Sequence, residues 1–293
     1  MKNINLLKFI LMGSFLSLSI FLCESSFAFT TCATNGSSSS SRISETSDCY
    51  TQPDTQQITF YKIALCKSQP TAPTTTVAVD TSSCSTVFQN TSGSTVNIQK
   101  GTTVNLTGTF TRPPNGNYSY VYVEISPTMK TKKTAYFVGN RTGTDGGVGT
   151  KCWSLAGSTY GYSSGGNPVV TSCGEDGATT TGLDLTTIYN NSLNGASGYV
   201  NTMAFPTTYG GNLTAYLVDS SNKLVATTAA NSMGTISKII GVLPETVNLT
   251  HQELVSLIEM KYANSTGTSV SMGGGTMAVF SGGPFDIYFA VKY

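Results

Sequence analysis

Residues 118–125, with the sequence YSYVYVEI, decide the fold class of this chain. Aliphatic side chains alternate with tyrosines, which is the period of a β-strand that presents two different faces. The aliphatic face consists of Val121, Val123 and Ile125. The opposite face carries Tyr118, Tyr120 and Tyr122 and ends at Glu124, which we expect to face solvent at the strand end. The stretch therefore predicts a sheet with one face against a hydrophobic core.

Other segments show the same period. Residues 58–66 (ITFYKIALC) carry hydrophobic groups on both faces, which favours a central position in a sheet. Residues 102–110 alternate and are predicted to form a hairpin with 118–125, and residues 212–227 form a second hairpin around the turn at 219–222. We predict an all-β fold, mainly an antiparallel β-sandwich, with disulfide-stapled loops.

One short α-helix is predicted near 251–263. Thr250 and Glu253 have the spacing of a capping box, and Leu249 with Leu254 supplies the accompanying hydrophobic staple. A helical turn is also predicted before Pro244, because four aliphatic residues between 236 and 243 recur at helical spacing.

The first 28 residues have the layout of a secretory signal peptide. Lys2 and Lys8 precede a hydrophobic run from Phe9 to Leu22, and small residues follow, so cleavage is expected near Ala28. No later stretch is long and hydrophobic enough for a helical membrane span, so we expect none in the mature chain. The protein is predicted to be secreted, periplasmic or on the cell surface.

The remaining chain is divided by composition. Residues 29–57 are rich in serine and are predicted to be a tether. Residues 58–138 form a β-sheet region, 139–182 a glycine-rich disulfide loop region, and 183–293 a β region with the helix and a C-terminal strand. The last region is expected to belong to the same domain as 58–138.

Six cysteines remain after Cys23 is removed with the leader, and an even number in an exported chain predicts three disulfides. Pairing of sequence neighbours is the simplest arrangement. The candidates are Cys32, Cys49, Cys66, Cys84, Cys152 and Cys173. Zinc sites use closely spaced cysteine pairs and redox sites use C-x-x-C, and neither spacing occurs.

The composition argues against nucleic-acid binding and against catalysis. Charged residues make up 11% of the chain and the net charge is +1, whereas nucleic-acid binding needs clustered lysine and arginine. The one histidine, His251, lacks a serine-containing nucleophile motif to work with. We predict no catalytic residues, no metal and no cofactor, and therefore no enzyme.

Two groups of residues are candidates for contact. The aromatic candidates for a glycan or protein contact are Trp153, Tyr160, Tyr162, Tyr118, Tyr120 and Tyr122. The assembly candidate is the C-terminal strand, with Phe285, Ile287, Phe289, Val291 and Tyr293 on one face. This strand can complete the sheet of its own domain, or it can add to a neighbouring copy.

These observations predict a secreted or cell-surface structural or adhesive β-protein that contacts other subunits, glycans or surfaces. Self-association or a surface glycan is the expected partner. The alternative is a secreted carbohydrate-binding or carbohydrate-active domain, and a second alternative is an outer-membrane β-barrel, whose last strand often ends on an aromatic residue.

Overall fold

A computed structural model describes residues 31–35, 41–44, 46–157, 170–190, 193–195, 198–206, 212–226, 235–250, 258–263, 267–272, 275–283 and 285–291. The chain in these ranges is built from β-strands and contains no α-helix. In chain order the strands are β1 (Thr34–Asn35), β2 (Arg42–Ile43), β3 (Cys49–Thr51), β4 (Thr55–Cys66), β5 (Cys84–Ile98), β6 (Thr109–Phe110), β7 (Gly116–Ile125), β8 (Thr128–Lys132), β9 (Thr134–Thr142), β10 (Val148–Ser154), β11 (Thr171–Gly174), β12 (Thr186–Tyr189), β13 (Leu193–Gly195), β14 (Gly198–Val200), β15 (Thr202–Pro206), β16 (Asn212–Val218), β17 (Lys238–Leu249), β18 (Ile258–Ala263), β19 (Thr268–Ser271), β20 (Val279–Gly282) and β21 (Asp286–Val291).

The main sheet has nine antiparallel strands in the described ranges, with β4 at its centre. One edge of β4 pairs with β5, and the other edge pairs with β7 and then with β8. The sheet continues from β7 to β17, β16 and β15, and from β8 to β12. The central position predicted for residues 58–66 is confirmed, and so is the all-β fold class.

A hydrophobic cluster lies on each face of this sheet. The larger core cluster takes Ile58, Phe60, Ile63 and Leu65 from β4 together with the aliphatic face of β7. The opposite face holds a smaller cluster that includes Ala64, Cys66, Tyr122, Val218 and Ile240. Residues 67–83, which we call the cover segment, lie over this smaller cluster through Val79 and a β-bridge between Ala78 and Lys223.

A second hydrophobic cluster, between two smaller sheets, joins distant parts of the chain. Its sheet has the order β1-β2-β9-β10-β11, and a smaller sheet adds β3, β19 and β20. The buried cluster between them contains Ile43 from the N-terminal region, Phe137 and Phe280. Residues 29–57 are therefore not a simple tether: where they are described, they form β1, β2 and β3 and pair with strands far along the chain.

Three disulfides join sequence neighbours, as predicted. The pairs are Cys32–Cys49, Cys66–Cys84 and Cys152–Cys173. The last two connect residues directly opposite each other on paired antiparallel strands. Three disulfides in one chain indicate folding in an oxidising compartment. The predicted signal peptide lies outside the described residues. In the described part of the chain, no helix has the length and hydrophobicity needed to cross a bilayer.

Three local predictions are wrong: the helix, the helical turn and the first hairpin. Residues 258–263 of the predicted helix form β18, because Ile258, Met260 and Tyr262 alternate with other residues at the strand period; residues 251–257 lie outside the described ranges. The predicted helical turn is part of β17, whose continuous aliphatic run is buried on both faces of the sheet.

The predicted hairpin between 102–110 and 118–125 does not form. Only Thr109 and Phe110 are in a strand, and they pair with β5, whereas β7 lies between β4 and β17. A long strand with two hydrophobic faces gains more by pairing on both edges with long strands than with a near neighbour. The turn at 219–222 is confirmed, with the Asp219 amide donating to the Lys223 carbonyl.

Candidate functional site

Burial removes half of the predicted contact aromatics from the surface. Tyr118 and Tyr122 have no exposed area, and Trp153 is 3% exposed. The Tyr118 hydroxyl donates to the Pro114 carbonyl, and the Trp153 indole donates to the Thr181 carbonyl. Tyr120 is half-buried, and Tyr160 and Tyr162 lie outside the described residues. The buried rings are parts of the core rather than of a contact surface.

The disulfide hairpin of β10 and β11 is fastened to the N-terminal region. Both terminal nitrogens of Arg42 donate to the carboxylate of Asp176, and Thr150 donates to the same carboxylate at 2.6 Å. These donors, Arg42 first, lower the pKa of Asp176 to about 2. This acidic residue, which follows Glu175 in a glycine-rich loop, thus has a structural role.

The predicted assembly strand forms β21 and pairs with β18 of its own chain. Ile287, Phe289 and Val291 lie opposite Tyr262, Met260 and Ile258. Phe285, just before the strand, packs against the main core cluster. Tyr293 lies outside the described residues. In the described ranges β21 pairs with β18 alone.

One part of the main sheet remains open and polar. Gln57, Thr59 and Tyr61 of β4 and Thr95 and Asn97 of β5 form this part, which we call the open face. It continues the face that the cover segment buries farther along β4. Thr95 and Asn97 are exposed and the three β4 residues are half-buried.

Hydrogen bonds between side chains order the open face into rows. The Gln57 amide donates to the Asn97 carbonyl oxygen at 2.8 Å, and the Thr59 and Thr95 hydroxyls are 2.8 Å apart. Fixed amide and hydroxyl groups of this kind keep further donors and acceptors directed at solvent. The surface suits a polar, uncharged ligand.

An aromatic ring closes one end of the open face. Tyr61 lies opposite residues 90–93, which bulge out of β5. Gly93 has φ of 87°, and a Cβ there would come within 3.0 Å of the Tyr61 ring. Only glycine combines this backbone with this approach, and the result is a half-buried tyrosine beside a protruding polar loop.

A charged cluster lies on the same face, where the cover segment begins to bury it. Glu124 is 6% exposed, contrary to the prediction that it faces solvent at a strand end. Its Oε1 accepts a hydrogen bond of 2.8 Å from Tyr122, and its Oε2 is 2.6 Å from Nζ of Lys238. Lys62 lies directly opposite on β4, with its Nζ 5.6 Å from the centre of the Tyr122 ring.

Each carboxylate oxygen has a partner, Tyr122 at Oε1 and Lys238 at Oε2, which is why the burial of Glu124 is tolerated. Burial raises the pKa of Tyr122 above its usual range, and the charge of Glu124 raises it further. Tyr122 therefore stays protonated and acts as a donor. Sequence reasoning missed this cluster, because Lys238 lies far along the chain from Glu124.

A carboxamide completes the cluster. Oδ1 of Asn222 is 3.3 Å from Nζ of Lys238. Asn222 has φ of 59°, the one left-handed backbone among non-glycine residues in the described ranges. The turn holds it there, because its amide donates to the Asp219 carbonyl and its own carbonyl accepts from Val79 of the cover segment.

The residues described here include no group of three histidine, cysteine or acidic side chains arranged to hold a metal ion. No family model, no curated protein and no solved structure matches this chain.

Proposed function

We propose that the protein is a secreted or cell-surface β-protein with a structural or adhesive role, and that it uses the open face to contact a surface glycan. The open face carries this proposal: two ordered rows of amide and hydroxyl groups end at the ring of Tyr61. Sugars present hydroxyl groups at their edges and C–H groups on their faces, so polar rows next to one aromatic ring fit their chemistry. No catalytic role is part of the proposal.

The character of the surface supports a contact role. Tyrosine, asparagine, serine and glycine are the residues that adaptable protein contact surfaces use most, and all four occur at Tyr61, Asn97 and residues 90–93. The disulfides and the predicted signal peptide support export to a place where glycans are displayed.

A glycan array tests the proposal, with Tyr61→Ala compared with wild type. We expect binding of at least one glycan class, and a loss of about tenfold in affinity in the variant, which corresponds to about 1.4 kcal/mol. Tyr136→Ala is the matched control, since Tyr136 is 39% exposed on a different sheet. Equal losses in both variants, or binding to no glycan, would contradict the assignment.

Self-association through β21 is a second candidate, supported by the edge of that strand that no described residue pairs with. An extended strand from another copy can add there by backbone hydrogen bonds. Phe289→Asp should then reduce multimers on a sizing column, whereas Phe110→Asp at a 60% exposed position should not. Unchanged assembly in Phe289→Asp would exclude this strand as the connector.

A further inference from the structure

An amine, a carboxylate and a carboxamide meet at the edge of the cover segment. Nζ of Lys238 is 2.6 Å from Oε2 of Glu124 and 3.3 Å from Oδ1 of Asn222. An ion pair alone needs only the first two groups. The third group adds an electrophilic carbon, bonded to an oxygen that is already within hydrogen-bond reach of the amine.

We propose that Lys238 and Asn222 join in an intramolecular isopeptide bond, formed by the protein itself with Glu124 as the proton-transfer group. The new bond links Nζ of Lys238 to Cγ of Asn222. The bond from Cγ to Nδ2 breaks, and ammonia leaves. The product is an amide like the one consumed, so neither oxidant nor reductant takes part.

The protons balance through Glu124. The Lys238 ammonium first passes a proton to the Glu124 carboxylate, and the neutral amine then attacks Cγ. Glu124 returns that proton to the departing nitrogen as the tetrahedral intermediate collapses, and the second amine proton goes the same way. With these two protons the departing nitrogen leaves as ammonium, while Glu124 ends as a carboxylate.

The surroundings of Glu124 shield its carboxylate from solvent and orient it toward the amine. The carboxylate side chain is 7% exposed, and Val218 and Ile240 belong to the hydrophobic cluster on this face. Tyr122 occupies Oε1, which leaves Oε2 directed at the amine.

The backbone holds the carboxamide in place. Asn222 keeps its left-handed conformation through hydrogen bonds to Asp219 and Val79. Lys238 begins β17 and is fixed by the pairing of Ile239 with both Leu217 and Ile125. Groups held together in this way react as though at very high concentration. The Lys238 side chain is 27% exposed, so ammonia has a route to solvent.

The link would join the turn after β16 to the first residue of β17 on the face that the Cys66–Cys84 disulfide also secures. It would restrain the unfolded chain by closing a loop, as a disulfide does, but it would resist reduction. The inference depends on these side chains alone and holds whether or not the open face binds a glycan.

Peptide mapping by mass spectrometry tests the bond on the full chain produced in an oxidising compartment, then reduced and alkylated. Trypsin cuts after Lys223, Lys238 and Lys261, and no other lysine or arginine lies between Lys151 and Lys261. With the bond, residues 224–261 remain uncut at Lys238 and joined to the peptide that contains Asn222, and the mass is lower by one ammonia. Release of a free 224–238 peptide would overturn the proposal.

Variants separate this bond from other losses of ammonia. Asn222→Gly keeps the left-handed turn and removes the carboxamide, and Glu124→Gln keeps the shape and removes the proton acceptor; both should restore cleavage after Lys238. Lys223→Arg, next to the site, should leave the link intact. A chain that has lost ammonia but is cut after Lys238 carries a succinimide elsewhere, and that result counts against the isopeptide bond.

Discussion

Replacing Cys66 and Cys84 together by alanine frees the two ends of the cover segment. These cysteines lie opposite each other on β4 and β5, and Cys66 has no exposed area. The strands keep their backbone hydrogen bonds in the variant, so the folded protein retains its pairing. The main effect falls on the unfolded chain, which gains the freedom that the link removed.

The sequence separation of 18 residues sets the magnitude, since loop-closure entropy for a loop of that length is about 3 kcal/mol. The matched variant removes Cys152 and Cys173, whose separation of 21 residues gives the same value within a few tenths of a kcal/mol. We therefore expect both double variants to lose about 3 kcal/mol of unfolding free energy.

Urea denaturation followed by circular dichroism and by the fluorescence of Trp153, the one tryptophan, measures both losses. Coincident transitions would validate a two-state treatment, and the dependence on urea should rise slightly because the unfolded chains are less compact. A loss below about 1 kcal/mol for the Cys66–Cys84 variant would refute the loop-closure argument. It would mean that residues 66 and 84 stay close together in the unfolded chain even without the disulfide.

Two further outcomes follow from contacts in the disulfide hairpin. The pKa of Asp176 is lowered from 3.8 to about 2. Its stabilising contact with Arg42 is therefore fully present above pH 3.8 and is lost as the pH falls through about 2. An NMR titration of the Asp176 carboxyl carbon with a midpoint near 3.8 would contradict this expectation. Gly149→Ala would place a Cβ 1.9 Å from the Gly174 carbonyl oxygen and should lower the unfolding free energy by about 1–3 kcal/mol. Gly139→Ala is the control, because no atom lies within 4 Å of its Cβ, and it should change the unfolding free energy by less than about 1 kcal/mol. Similar losses in both variants would show that the backbone of the hairpin moves to accept the new Cβ.

The sequence was informative where local pattern and final environment agree. Residues 58–66 and 118–125 alternate or run hydrophobic on both faces, and both became central strands. The cysteine spacing suggested neighbour pairing, which the strand register then permits for Cys66–Cys84 and Cys152–Cys173. The predictions of domain boundaries, export and function stay predictions.

The sequence pattern could not predict which strands pair with each other, because strand pairing joins segments far apart in the chain. The neighbours of β7 are β4 and β17, neither of which is its nearest strand in sequence. The capping signal around Thr250 indicated a helix that cannot extend through Ile258–Ala263, where pairing with β21 outweighs local preference.

The charged cluster was missed for the same reason. Whether Glu124 faces solvent depends on residues 67–83 folding over the sheet and on Lys238 arriving beside it from β17. A single acidic residue at the end of a strand carries no sign of either event. The open face was also missed, because Gln57 and Asn97 come together only through the register of β4 and β5.

The arrangement of β3 bears on the order in which the protein matures. This strand pairs through Cys49, Tyr50 and Thr51 with β19, far along the chain. Ile43 of β2 pairs with Phe137 of β9. A nascent chain emerging amino end first can oxidise Cys32 with Cys49 early, but β3 has no β19 to pair with until residues 268–271 have been synthesised. Truncation before β19 would therefore leave β3, near the other end of the sequence, without this partner strand.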